Sequence, residues 1–403
     1  MGTVAPGQDW LDALSGRQKR IQELLNKAPE EQKERGYFHT LREICRQPQT
    51  WRETCELIAQ SAPALKALLR GVSSLVLTGS GSSEYAGESV RATLQTELRC
   101  NCQVIGAGTL LTDIEVLRAS MPQLVISLAR SGDSPESVAA VSLVLDTEPR
   151  TRHLVFTCNR EGALARRFGL HPNVHVVVLD ETTNDESLVM TSSFTNLALA
   201  ARFLGLADRP DVYRSICCQA ADIAADLLQS QVDVLAQLTT SAFTRVVFLG
   251  SGCAYGGARE SALKMLEMSA GRVASVCETY LGLRHGPMSF LDKNTLVVCY
   301  LSSDRTRRNY ELDLLRELDQ KQLGRGKVIV GESVPGDVLR EGDVAIECPG
   351  LDRLGDANAV FIHVIVGQLL GFFRCMQEGL RPDWPSQDNV INRVVQRFPV
   401  YRG

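Results

Sequence analysis

At 403 residues the chain is too long for one ordinary hydrophobic core, and two domains are expected. Apolar residues make up 44% and charged residues 22%, an ordinary globular composition, and a net charge of −4 without a long basic run argues against a nucleic-acid partner. The twelve cysteines are scattered with no Cys-x-x-Cys pair; they read as reduced, mostly buried thiols of a cytoplasmic protein rather than a disulfide framework or a zinc site, and no metal is expected.

The first twenty residues, MGTVAPGQDWLDALSGRQKR, lack the apolar run of a secretory leader, and Pro6 stands where a myristoylation motif needs Ser or Thr. Residues 1–70 have helical spacing throughout, and Pro48 divides FHTLREICRQPQTWRETCELI into two pieces. The pattern then changes. Short apolar strands at 75–79, 102–107, 124–130, 153–159 and 174–180 alternate with helical stretches at 87–98, 110–119, 135–146 and 161–168. Strands apolar on both faces, alternating with helices, imply a parallel sheet covered by helices.

The second half repeats the first. LVLTGSGSSEYAGES (75–89) resembles VVFLGSGCAYGGARES (246–261), and LVISLARS (124–131) resembles LVVCYLSS (296–303) at nearly the same separation. After the shared strand the first copy reads Gly-Asp-Ser-Pro-Glu (132–136) and the second Asp-Arg-Thr-Arg-Arg (304–308), so the second copy has lost an anion loop that the first keeps. The linker near 205–240 reads as helical. The expected architecture is α/β, with an N-terminal helical segment over 1–50, a first domain over 51–212 and a second over 213–403. The longest apolar stretch, 359–373, is too short to span a bilayer and carries His363 and Gln368; a buried core helix is expected, and no membrane partner.

Two loops of the first copy follow strands and precede helices: Gly-Ser-Gly-Ser-Ser (79–83) and Ser-Gly-Asp-Ser (131–134). In an open parallel sheet such loops lie at the carboxyl edge, where ligands bind. Helix N-termini offer unpaired N–H groups, serines add donors, and glycines let the backbone approach an anion closely. The chain lacks Gly-x-Gly-x-x-Gly after the strand and lacks a Gly-Lys-Ser/Thr loop, so a sugar phosphate fits better than a nucleotide. The plainer alternative is a pair of capped turns.

The helical stretch ESALKMLEM carries Lys264 and Glu267 three apart, on one helical face. His285 lies in Arg-His-Gly-Pro, a sequence that fixes a loop. Taken singly, these are an ordinary surface ion pair and a surface histidine. Beside a phosphate loop they become the parts of aldose–ketose interconversion: a carboxylate to carry a proton between C1 and C2, a histidine for ring opening, and a cation to steady developing charge.

The motifs LTGSGSSEYAG, LARSGDSPESVAA, TNDESLVMTSSFTN, LGSGCAYGGARESALKMLEMSAG and LGLRHGPMS, with DNVINRVVQ near the end, resemble the sugar isomerase (SIS) family in its double-domain form, over nearly all of residues 40–395. The chain looks most similar to the tagatose-6-phosphate ketose/aldose isomerase subgroup, also described as galactosamine-6-phosphate deaminase/isomerase. The resemblance implies two tandem SIS domains. It also implies phosphate binding by Ser82, Ser83, Ser131 and Ser134 with Gly81 and Gly132, a proton-shuttling Glu267, a helix Lys264 and a ring-opening His285. In the related isomerase domain of glucosamine-6-phosphate synthase that histidine comes from the neighbouring subunit, which implies a homodimer or higher homo-oligomer here. Where the synthase loop reads Ser-Gln-Ser-Gly-Glu-Thr, this chain reads Ala129-Arg130-Ser131-Gly132-Asp133-Ser134, so Arg130 is a candidate replacement for a missing serine, or else turns away into an ion pair.

The expected activity is therefore conversion of galactosamine 6-phosphate to tagatose 6-phosphate with loss of ammonia, without metal or organic cofactor. Simple ketose/aldose isomerisation, and a glucosamine or fructosamine 6-phosphate substrate, are alternatives with the same site. A non-catalytic sugar-phosphate sensor is the alternative of another class. Against a sensor, Glu267, Lys264 and His285 are present together and no DNA-reading segment is appended.

Overall fold

The computed structural model describes residues 8–15, 18–117, 123–396 and 398–401. The readings at residues 1–7 and the last two residues of the 110–119 stretch lie outside the described residues. Two compact units emerge. One comprises residues 50–185, 190–217 and 389–403, the other 1–49, 186–189 and 218–388.

The first unit holds strands β1 (Ser74–Thr78), β2 (Asn101–Val104), β3 (Gln123–Ala129), β4 (Arg152–Thr157) and β5 (Val174–Val178). They pair in parallel in the order β2-β1-β3-β4-β5. β3 is buried along its whole length, which is why its sequence runs apolar without alternation. On one face, Val76 and Val125 pack with Leu110, Leu117, Ala140 and Val144, and Val155 with Val141, Leu164 and Phe168; the helices Ser82–Leu98 and Ser192–Arg202 also meet the sheet. The helix expected over 110–119 is broken: Ala107–Thr112 ends at Asp113, and a 3-10 turn, Ile114–Leu117, follows. The linker is helical as expected, over Pro210–Ser230 and Val232–Leu238.

The second unit repeats the topology. β6 (Arg245–Leu249), β7 (Ala274–Glu278), β8 (Thr295–Tyr300), β9 (Gly326–Gly331) and β10 (Val344–Glu347) are parallel in the order β7-β6-β8-β9-β10. The duplication extends to backbone angles. Gly81, before the helix Ser82–Leu98, has φ +57° and ψ −125°; Gly252, before the helix Cys253–Met268, has φ +58° and ψ −124°. Both lie where side chains are rarely accommodated, so glycine is required twice for the same turn.

On one face of the second sheet, Val247, Leu249, Val297, Cys299 and Leu301 pack against Tyr280, Leu283, Leu312 and Leu315. On the other face, Phe248 and Tyr300 meet the helices Cys253–Met268 and Asp356–Gln377. The Tyr300 ring stacks on His363 at 4.6 Å, and its hydroxyl meets Ser261 Oγ at 2.7 Å. Asp356–Gln377 is long and apolar enough to cross a membrane by composition, but 94% of that stretch is buried inside the protein, as expected of a core helix.

The N-terminal helices pack into this second unit. Gln47 Nε2 donates to Gln368 Oε1 at 2.7 Å, both buried, and the Asp383 carboxylate accepts from Thr40 N at 2.7 Å at the start of the helix Phe38–Cys45. Pro48 divides the helices as read, in the first turn of Gln47–Gln60.

Helix Asp356–Gln377 approaches Cys253–Met268 closely because glycines line the crossing. A Cβ at Gly367 would stand 2.2 Å from Ser261 Oγ and 2.5 Å from its Cβ. Gly367→Ala is therefore expected to lower the unfolding free energy by about 1–3 kcal/mol through overpacking, measured by urea titration.

Candidate active site

In the first unit the strand order reverses direction between β1 and β3, which makes their carboxyl ends the switch point of the sheet. Both predicted phosphate loops stand there. The first leads into Ser82–Leu98 and the second into Pro135–Thr147, and in neither helix does the N-cap residue make a side-chain cap hydrogen bond. Ser82, Ser83 and Ser131 are buried. The second loop is braced from behind: Gly132 O accepts from Leu164 N at 2.9 Å, Ser131 O from Asn159 Nδ2 at 3.0 Å, and Asp133 Oδ1 from Ala163 N at 2.8 Å. Asp133 thus spends its charge on a neighbouring turn.

The switch point also gathers polar atoms that are buried without a hydrogen-bond partner among the described residues: Thr78 Oγ1, Ser80 Oγ, Ser127 Oγ and Glu136 Oε2. Thr78 and Ser127 are register partners on β1 and β3. Buried polar groups are costly unless paired, so these four atoms together set the switch point apart from the rest of the sheet. The sequence reading missed these four. Its available signal was a hydroxyl interrupting an apolar strand, as in LVLT and LVIS.

In the second unit, Lys264 is 1% exposed and its Nζ stands 2.5 Å from Glu267 Oε2 and 3.3 Å from Glu260 Oε1. Burial works to lower the ammonium's pKa, but the two carboxylates outweigh it and hold it above its ordinary value. Glu260 is fully buried; Glu267, with 22% of its side chain exposed, is the member that reaches solvent. One Glu267 oxygen is locked by the lysine, and the other makes no hydrogen bond to a described residue. The sequence reading found Lys264 and Glu267 but not Glu260, whose signal was its position four residues before the lysine.

His285 is exposed, in the turn between the short helix Tyr280–Leu283 and Gly286, and its imidazole has no partner among the described residues. The structure does not bring it to Glu267 within this unit. Tyr280 and Leu283 pack on one face of the second sheet, whereas Cys253–Met268 lies on the other, where Ser261 meets Tyr300.

Three comparisons place this geometry. The SIS domain model matches residues 68–206. D-galactosamine-6-phosphate deaminase AgaS of Escherichia coli O157:H7 is 34% identical over 371 residues, spanning 89% of this chain and 94% of that protein. An AgaS homologue of Streptomyces coelicolor is 38% identical over 369 residues, with the same coverage of 89% and 94%. The solved tagatose-6-phosphate ketose/aldose isomerase from Escherichia coli superposes with a TM-score of 0.81 at 32% identity, covering 86% of this chain and 95% of that one. The chain belongs to the SIS family.

Within this SIS protein, the Arg130 guanidinium Nη2 donates to Arg393 O at 2.5 Å, and Arg393 in turn donates to Asp185 O and Asn184 Oδ1, each at 2.8 Å. The segment DNVINRVVQ is thereby tied to TNDES. Ser192 and Ser193 are also occupied internally: Asp185, 1% exposed, accepts from Thr191 N, Ser192 N and Ser193 N at 2.7, 3.1 and 2.9 Å, capping the helix Ser192–Arg202. His171 and His175 are four apart, but His175 lies on β5 with His171 in the turn before it, and no group of three metal-ligating residues occurs among the described residues.

The second unit's switch point, between β6 and β8, is arranged differently. Glu311, 1% exposed, accepts from Ser302 N at 2.7 Å, and burial pushes its carboxyl up to about 7, the nearby Asp356 charge adding to this and Ser251, Ser302 and Arg308 opposing it. Asp356 accepts from Ser303 N at 2.6 Å, Ser303 Oγ at 2.8 Å, Arg307 Nη1 at 2.7 Å and Ser302 Oγ. Burial opposes its ionisation, but these donors outweigh burial and hold the carboxyl below its ordinary range.

Two outcomes follow from the buried charges. Lys264→Met leaves two facing carboxylates without their cation and is expected to cost about 3–5 kcal/mol; the double variant Lys264→Met with Glu260→Met recovers most of that loss, measured as a double-mutant cycle in urea. Glu311 binds a proton more tightly folded than unfolded. The stability it contributes is complete below its ordinary value of 4.5 and is lost as pH rises through about 7. Glu311→Gln is expected to flatten the urea midpoint between pH 5 and 8, removing a fall of about 3 kcal/mol.

Proposed function

We propose that this SIS protein opens, isomerises and deaminates a hexosamine 6-phosphate, converting galactosamine 6-phosphate and water to tagatose 6-phosphate and ammonia. The phosphate is held by Ser82, Ser83, Ser131 and Ser134 at the two helix N-termini, where Gly81 and Gly132 allow close approach. Glu267 takes the proton from C2 of the open-chain amine and returns it to C1. The resulting C2 imine adds water and releases ammonia. Lys264 fixes one oxygen of Glu267, so the other is presented in one orientation and no conformational search precedes transfer. The observation that carries this reading is the buried ammonium clamped on a carboxylate that alone of its cluster reaches solvent. Relatives named as deaminase and isomerase support the substrate class.

Ring opening is assigned to His285 of the partner subunit. Glu267's helix and the His285 turn lie on opposite faces of one sheet, so a second copy is what supplies the histidine. The working enzyme is then a homodimer or a higher assembly built from it. All twelve cysteines are free, which suits the reducing cytoplasm.

Glu267→Gln is expected to lower kcat for ammonia release by about 10²–10⁴-fold while leaving substrate binding within twofold. Mixed and reassociated Glu267→Gln and His285→Ala subunits are expected to regain activity that neither homo-oligomer shows. Unchanged turnover in Glu267→Gln overturns the catalytic assignment, and absence of complementation overturns the shared site. Galactosamine, glucosamine and tagatose 6-phosphates assayed side by side decide the epimer and separate deamination from simple isomerisation. Binding without turnover of any of them would establish a sensor.

A further inference from the structure

The two switch points of the chain are built on one plan and differ in one respect. In the first unit, among the described residues, no loop serine is seen to hold a carboxylate from a distant part of the chain, as Ser302 and Ser303 hold Asp356. In the second, the loop after β6 (Gly250, Ser251, Gly252) and the loop after β8 (Leu301 to Asp304) stand in the same topological positions, with the same glycine geometry. There the donors converge on Asp356. Two serine hydroxyls, one backbone N–H and one guanidinium bind its two oxygens. Arg307 also reaches over the first loop, with its Nη1 3.9 Å from where a Gly252 side chain would begin. Hydroxyls, a loop N–H and an arginine around one group of negative oxygens are the donor set of a phosphate site. Beneath it lies the buried Glu311 carboxyl, which burial holds protonated more readily than an ordinary glutamate and so keeps from adding a second full negative charge.

We infer that the second switch point is an anion site occupied by the protein's own Asp356 carboxylate, so that each chain offers one phosphomonoester site, and that shortening Asp356 opens a second. Asp356 is the first residue of the long helix Asp356–Gln377, so the same contact that fills the site also pins the start of that helix.

This rests on the phosphate assignment of the first unit only for the expected wild-type count. The probe is radiolabelled inorganic phosphate in equilibrium dialysis. The wild type is expected to bind one phosphate per chain, Asp356→Ala two, and Asp356→Ala with Arg307→Ala one again. Asp356→Asn, which keeps the side chain's bulk, is expected to bind no more than the wild type. The melting temperature of Asp356→Ala is expected to rise with phosphate at least twice as far as that of the wild type, with the excess absent in the double variant. If Asp356→Ala does not fold, Asp356→Ser, which keeps a hydroxyl at the helix start, gives the same reading. A count of zero for the wild type and one for Asp356→Ala sustains this inference and removes the first-unit phosphate site. Equal counts in folded wild type and Asp356→Ala or Asp356→Ser overturn the inference.

Discussion

A parallel sheet of this strand order creates an electrostatic demand at its switch point. Two helices begin there with the positive ends of their dipoles, and the loops that feed them carry serines and glycines. Such a place favours negative charge. This chain contains the arrangement twice. In one copy the Asp356 carboxylate lies there; in the other, the hydroxyls of Thr78, Ser80 and Ser127 are buried without a hydrogen-bond partner among the described residues.

The same reasoning separates what the sequence made legible from what it concealed. The strands could be read because both faces of β3 and β8 are buried, leaving apolar runs with no alternation to confuse them. The duplication could be read because Gly81 and Gly252 need the same positive φ, and glycine has no substitute there. Lys264 and Glu267 were visible as a helical pair. What stayed hidden depended on distance along the chain. Arg130 pairs with a carbonyl more than 250 residues away, and Asp356 reaches loops about fifty residues before it. No local pattern announces such partners. The helix break at Asp113 and the unpaired Thr78 and Ser127 were hidden for another reason: a single polar residue inside an apolar stretch has many ordinary explanations, and only burial without a partner singles it out.

The N-terminal helices illustrate a third kind of concealment. Their amphipathic spacing gives helix and face but not destination. They find it through polar anchors in an otherwise apolar setting, Gln47 on Gln368 and Asp383 on the start of Phe38–Cys45. A buried amide pair has few acceptable alternatives, so it selects one docking position among many that would bury similar apolar area. The segment's place is therefore set by hydrogen-bond geometry, whereas its stability comes from apolar burial, as with Ile21, Leu24 and Leu41.

Burial of charge around Lys264 has the opposite logic from burial of charge around Asp356. At Lys264 a buried ammonium and the buried Glu260 carboxyl are taken out of water, and the desolvation cost of the ammonium is recovered only because two carboxylates flank it. That arrangement is a poor way to gain stability and a good way to fix an orientation. For the proton transfer between neighbouring carbons proposed above, such a clamp leaves one Glu267 oxygen immobile and the other available. Glu260 supplies the extra negative charge that keeps the lysine protonated without itself reaching solvent, so Glu267 is left as the outer carboxylate of the cluster. An isolated Lys–Glu pair on a solvated helix would offer neither constraint, since exposed pairs of that kind are worth little and exchange partners freely. The inner carboxylate is thus what distinguishes this helix from the ordinary ion pair its sequence also permits.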